Sequence, residues 1–152
     1  MDFPDIFTSE IASKMTDRIN RLSLNTKPQW GKMNCPQMLA HCNVAYEMIY
    51  DQKHKKPNFL MALFIKAFVK DIVVSNKPYK HNSPTAPAFV IKGERDFDSE
   101  KKRLVDYIDK TEKLGSSSFE NKESLSFGRL NLNEWNNMLY KHLDHHLTQF
   151  GV

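Results

Sequence analysis

The chain has 152 residues, 40% of them apolar and 26% charged, which suits one domain with a real hydrophobic core and excludes a disordered or fibrous polymer. Its net charge of +4 is spread widely, and the densest run, Lys53, His54, Lys55 and Lys56, is expected to be a solvated loop. Nucleic-acid readers concentrate charge more than this, so no nucleic-acid partner is expected.

The start, Met1, Asp2, Phe3, Pro4 and Asp5, lacks the basic opening and apolar run of a signal peptide, and a cytoplasmic location is expected. The first helical pattern places Ile11, Met15, Ile19 and Leu22 on one face, with Thr8 or Ser9 as N-cap, and breaks at Thr26, Lys27 and Pro28. A second begins at Asn34, a good N-cap, with Pro36 in its first turn. Its stripe is Met38, His41, Ala45 and Met48, with Gln52 as a further candidate, and the stretch from Asp51 to Pro57 ends it. Cys35 and Cys42 fall on this helix about 10 Å apart in rise. A disulfide needs Cα atoms within about 7 Å, so both are expected to be reduced core thiols.

The most apolar stretch, Phe59 to Val74, contains Lys66, Lys70 and Asp71. It is too short and too charged to span a bilayer, so no membrane partner is expected and the segment is predicted to be a buried or groove-lining helix. Pro78, Pro84 and Pro87 make residues 75–90 irregular, a long loop of the kind that serves as a lid or is disordered. Ala88 to Ile91 is the one weak strand candidate. The third main helix is predicted to start near Asp98 or Ser99, carry Leu104, Val105 and Ile108, and stop at Gly115. A polar loop is expected from Gly115 to Ser126. The fourth opens at Asn131 with Glu134 three residues on, a capping-box pattern, and runs to about Phe150 and Gly151. Four longer helices predict an all-α four-helix bundle, with the extra apolar segment and the long loop inserted between helices two and three.

Trp135, Met138, Leu139, His142, His146, Gln149 and Phe150 share one side of the fourth helix. His142 and His146 differ by only about 40° around its axis, so an i, i+4 imidazole pair faces the core. His41 also points inward, early in its own helix. If the two helices run antiparallel, the three rings meet at one end of the bundle. Three neutral imidazoles without a fourth protein ligand make an open site for a divalent metal, able to activate a water or a thiol. Gln149 and His145 are placed to support it through hydrogen bonds. Of the nearby groups that could take a proton, Asp144 points away from the seam, which leaves His145 as the candidate catalytic residue. His54 and His81 fall in loops and lack this geometry. No Glu-x-x-His or His-Glu-x-x-His pattern is present, which excludes ferritin-like and zincin sites. The spacing also fits a purely structural reading, in which His145 and His146 favour the negative end of the helix dipole and His41 is a hydrogen-bonded core residue.

The stretch Trp30-Gly-Lys-Met-Asn-Cys-Pro-Gln-Met-Leu-Ala-His41 resembles the start of the second helix in a DinB/YfiT-like subfamily of bacterial proteins of unknown function. Glu134-Trp-Asn-Asn-Met-Leu-Tyr-Lys-His-Leu-Asp-His-His-Leu-Thr-Gln-Phe-Gly151 resembles its fourth helix, and Glu94-Arg-Asp-Phe-Asp-Ser-Glu-Lys its approach to the third. The resemblance covers nearly the whole chain. It implies a four-helix bundle, often a homodimer, with zinc, nickel or iron on three histidines matching His41, His142 and His146. It also implies a small-molecule substrate, a thiol among the candidates, in thiol S-transfer or hydrolysis. Thr148 departs from the small residue usual in the superfamily at that position, and Phe59 to Pro87 looks specific to the subfamily, so no substrate contact carries over. A non-catalytic metal- or ligand-binding bundle is the alternative reading.

Overall fold

The computed structural model describes residues 3–51 and 53–152. Gln52, the further candidate on the second stripe, and Met1 and Asp2 lie outside the described residues. The fold is mainly helical, in chain order α1 (Ser9–Asn20), α2 (Cys35–Tyr50), α3 (Phe59–Phe68), α4 (Lys70–Val74), α5 (Phe97–Leu114) and α6 (Leu132–Gln149).

Local chemistry starts and stops these helices. Orphan N–H groups at a helix start need acceptors, and short polar side chains supply them. The Thr8 hydroxyl accepts from Ile11 N at α1. At α2, Asn34 Oδ1 accepts from Gln37 N at 2.9 Å while Gln37 Oε1 accepts from Asn34 N. Asn131 and Glu134 repeat this reciprocal box at α6. Helix α5 begins at Phe97, slightly earlier than the sequence suggests, because Asp96 accepts from Ser99 N and is the cap. Gly115 ends α5 at φ 69°, a left-handed conformation that L side chains resist.

Helix α2 packs on α5 and α6, α1 packs on the same two, and α4 lies along α6. Met15, Ile19, Met38, Leu39, Leu104, Ile108, Trp135, Leu139 and Leu143 meet between them and are essentially inaccessible. Cys35 and Cys42 are free, buried thiols in this core, and burial pushes both up, Cys35 to about 11.

Four expectations give way. The Phe59 to Val74 segment is two helices, broken at Val69, and α3 buries none of its residues; Phe59 is 81% and Leu60 76% exposed. The longer helices already close the core, and α3 contacts α4 without reaching it; Val74 is the residue of this segment that is buried. Ala88 to Ile91 forms no strand. Pro87–Phe89 is a single 3-10 turn, since Pro87 has no N–H for a ladder. The strands among the described residues, β1 (Glu123–Ser124) and β2 (Gly128–Arg129), pair antiparallel across the end of the stretch read as loop. The basic run is also not free in solvent throughout: His54 is partly buried against Glu47.

Candidate metal centre

The start of α2 lies beside the end of α6, with Gln29 N donating to Gln149 O at 2.7 Å. This antiparallel placement brings His41 to His142 and His146. One ring nitrogen from each lies within 4.8 Å of the other two, and the group contains no carboxylate or thiol. Nε2 of His41 is 3.0 Å from Nε2 of His142, and the His41 and His146 ring centroids are 4.5 Å apart.

Hydrogen bonds fix two of the three rings. The Phe89 carbonyl can only accept, so at 2.9 Å it holds the proton of His41 on Nδ1. The lone pair of that ring is then on Nε2, which faces the other imidazoles. On His146, Nδ1 is 2.8 Å from Gln149 Oε1. Gln149 is itself oriented, because its Nε2 donates to Trp30 O at 2.7 Å. The amide oxygen therefore faces His146, Nδ1 carries the proton, and Nε2 is again the free donor atom. Outer partners that set imidazole tautomers in this way are typical of metal-binding histidines. His142 has no such outer partner: its Nε2 is at hydrogen-bond distance from His41 Nε2, and its ring is packed edge-on by Phe89 and Tyr79 at 5.7 and 6.5 Å.

The electrostatics favour neutral rings. Burial lowers His41, opposed by the Phe89 hydrogen bond and assisted by His145. Burial, with the neighbouring imidazoles, holds His142 well below its ordinary value. Burial and then His41 pull His146 down to about 3, against the Gln149 hydrogen bond. Neutral imidazole is the form that donates a lone pair to a metal. The donor set, its orientation and its protonation fit a divalent ion.

His145 lies beside this group, its ring 5.1 Å from that of His146, and burial followed by the His81 charge lowers it. It lines a cleft of about 180 Å³ together with Trp30, Tyr79, His81 and Lys141. Asp144 is turned to α1, where Arg18 Nη1 reaches its Oδ1 at 2.6 Å, as expected of a residue off the seam. His54 is elsewhere, on Glu47. His81 is not a ligand but stacks on Trp30 at 3.8 Å, so the 75–90 loop crosses the site and lays Tyr79, His81 and Phe89 against it.

Several supporting residues escaped the sequence reading. Phe89 acts through its carbonyl, which no side-chain pattern reveals. Gly31 has φ 86°, and a Cβ there would sit 2.5 Å from Gln149 Nε2, so the glycine makes room for the side chain that orients His146. Lys141, buried on α6, donates to the carbonyls of Ile72, Ser75 and Lys77 at 2.7–3.0 Å and ties the loop's start to the helix. Burial draws its ammonium down to about 8, with Asp71 opposing. Asn137, four residues earlier, donates to Val74 O at 2.9 Å. That i, i+4 pair of polar residues on α6 was the available signal.

A mainly helical fold carrying a three-histidine cluster is the class these observations define. The chain belongs to the family described as protein of unknown function (DUF1569), which it matches over residues 7–151. No curated protein and no solved structure matches it.

Proposed function

We propose that the protein is a metal-dependent enzyme on a DinB/YfiT-like four-helix bundle, acting on a small molecule by thiol S-transfer or hydrolysis. His41, His142 and His146 hold a divalent ion, with zinc, nickel and iron as the candidates. The observation that carries the proposal is the pair of outer hydrogen bonds, from Phe89 O and Gln149 Oε1, that turn two Nε2 lone pairs toward one point. Bound there, the ion supplies Lewis acidity, which lowers the pKa of a water or thiol.

The chain's own residues supply the rest. Gln149 and the Phe89 carbonyl orient the ligands. Tyr79 and Phe89 pack edge-on against the half-buried ring of His142. His145 is the neighbouring base: neither of its ring nitrogens has a hydrogen-bond partner among the described residues, and its lowered pKa leaves it neutral and able to take the nucleophile's proton. The cleft it lines is the candidate approach for substrate.

The test uses protein purified without a histidine tag, stripped with chelator and reloaded with zinc, nickel or ferrous iron. One ion per chain and metal-dependent turnover of small thiols or electrophiles are expected, with both lost in His142→Ala. A wild-type chain that takes up no ion, or turnover unchanged by His142→Ala, overturns the proposal. A non-catalytic binding module is the second reading, favoured by the exposed apolar side chains of α3. It predicts metal binding or folding without turnover.

A further inference from the structure

Helix α3 has a composition at odds with its surroundings. Phe59, Leu60, Met61, Leu63, Phe64 and Phe68 are each more than half exposed. These six side chains spread over about 200° of the helix rather than along one narrow stripe, since each residue turns about 100°, and Lys66 is the one polar residue of α3. A helix that is apolar all round is ordinarily enclosed by an apolar medium. A groove on a protein covers one face of such a helix, whereas acyl chains can surround most of it. Ten residues give about 15 Å of length, enough to lie in one leaflet but not to cross. In agreement, no described helix is long and apolar enough to cross a membrane.

Charge selects the surface. From residue 53 to residue 70 the chain carries Lys53, Lys55, Lys56, Lys66 and Lys70, with no carboxylate. Lys53, Lys56 and Lys70 have carboxylate partners from other segments, while Lys55 and Lys66 have none among the described residues. A second copy is a poor occupant. An isologous contact brings a patch against itself. Parallel α3 helices would set Lys66 against Lys66. Anionic lipid headgroups instead complement these lysines while the acyl region takes the aromatic and aliphatic side chains.

We infer that α3, with the lysines before and within it, is a docking element for an anionic membrane surface, lying in the interface without spanning it. The absence of a spanning segment, on which the expectation of no membrane partner rests, does not bear on such surface attachment.

The full-length chain, metal-free and metal-loaded, is floated with vesicles of phosphatidylcholine alone or mixed with phosphatidylglycerol. Binding to the mixed vesicles that weakens with salt is expected. Leu60→Glu with Phe64→Glu should lower it about tenfold or more. Lys55→Gln and Lys66→Gln should each lower it about fivefold on mixed vesicles. Because these side chains are exposed, circular dichroism and metal content should match wild type, which separates this inference from the metal proposal. No binding to mixed vesicles at low salt, or equal binding to both kinds, overturns it. So does a dimer in light scattering that Leu60→Glu with Phe64→Glu converts to monomer, because the helix would then be covered by a second copy.

Discussion

The two halves of α2 treat charge in opposite ways. Toward its end, Glu47 is a hub: Arg103 binds one carboxylate oxygen and His54 the other, the latter at 2.9 Å. Arg103 also reaches Glu100 at 2.8 Å, and Glu100 accepts from Asn43 at the same distance. Burial pushes the Glu47 carboxyl up, but the hydrogen bonds from His54 and Arg103 and the nearby positive charges outweigh it and hold it below its usual range. Two turns earlier His41 meets the Phe89 carbonyl through Nδ1 and other imidazoles through Nε2, in a cluster that holds no carboxylate. The first cluster contains its own counter-charges and is complete as protein. The second gathers lone pairs with no cation of the chain to receive them, and its outer partners orient those lone pairs inward. Neutral imidazoles gathered with no carboxylate among them make a donor set suited to a metal ion, so an arrangement of this kind is intelligible as a site for something added.

The contrast can be broken at four points. The largest effect is expected for His142→Ala, which removes one of three donors. Its metal affinity should fall by more than the roughly 100-fold that loss of an outer partner costs. Competition with a chromophoric chelator measures it, and an unchanged affinity would mean the triad is structural. Gln149→Leu leaves the donors in place but frees His146, and a drop of about 10- to 100-fold is expected in the same assay. If Gln149→Leu were silent, its hydrogen bond would have no part in holding an ion.

The other cluster should respond in stability and not in metal affinity. Glu47→Gln is expected to cost about 1–2 kcal/mol in denaturant unfolding, at the low end for charged hydrogen bonds because Arg103 is still a third exposed. Metal affinity should match wild type; a matching loss of metal would show the two halves of α2 to be coupled. The smallest effect is the pH dependence of that contribution. The folded pKa of Glu47 is depressed, so its stabilisation is present above the unfolded value near 4.5 and lost as pH falls through the lower folded value. Wild type and Glu47→Gln should therefore differ in melting temperature by a constant amount above about pH 5 and draw together as pH falls below 4.5 through the lowered carboxyl pKa. Curves that run parallel across this window would remove the ionised carboxylate from the account.

The helices were legible because their signals are local. Asn34 with Gln37 and Asn131 with Glu134 are capping pairs within one turn, Gly115 is a stop, and the apolar spacing names Leu104, Ile108, Trp135 and Leu139 as core. The histidine cluster was legible for the same reason. Two imidazoles four residues apart on a buried stripe must face one way, and His41 shares the inward direction on another stripe. Asp144 facing away from the seam followed from the same angular argument.

Hydropathy failed for α3. Apolar character says that a segment is costly to leave in water, but not which surface will cover it, and here the longer helices had closed their core without it. Chain order likewise could not show that the Phe89 carbonyl would land on His41 Nδ1, or that Gly31 would make room for Gln149, because both contacts join residues 48 or more positions apart. Helix starts and stops, and the inward direction of three histidines, belong to short-range geometry and can be read along one strip of chain. The meeting of those histidines, the tautomers that aim them and the exposure of α3 depend on how separate helices come to rest against one another, which is settled by packing over the whole molecule.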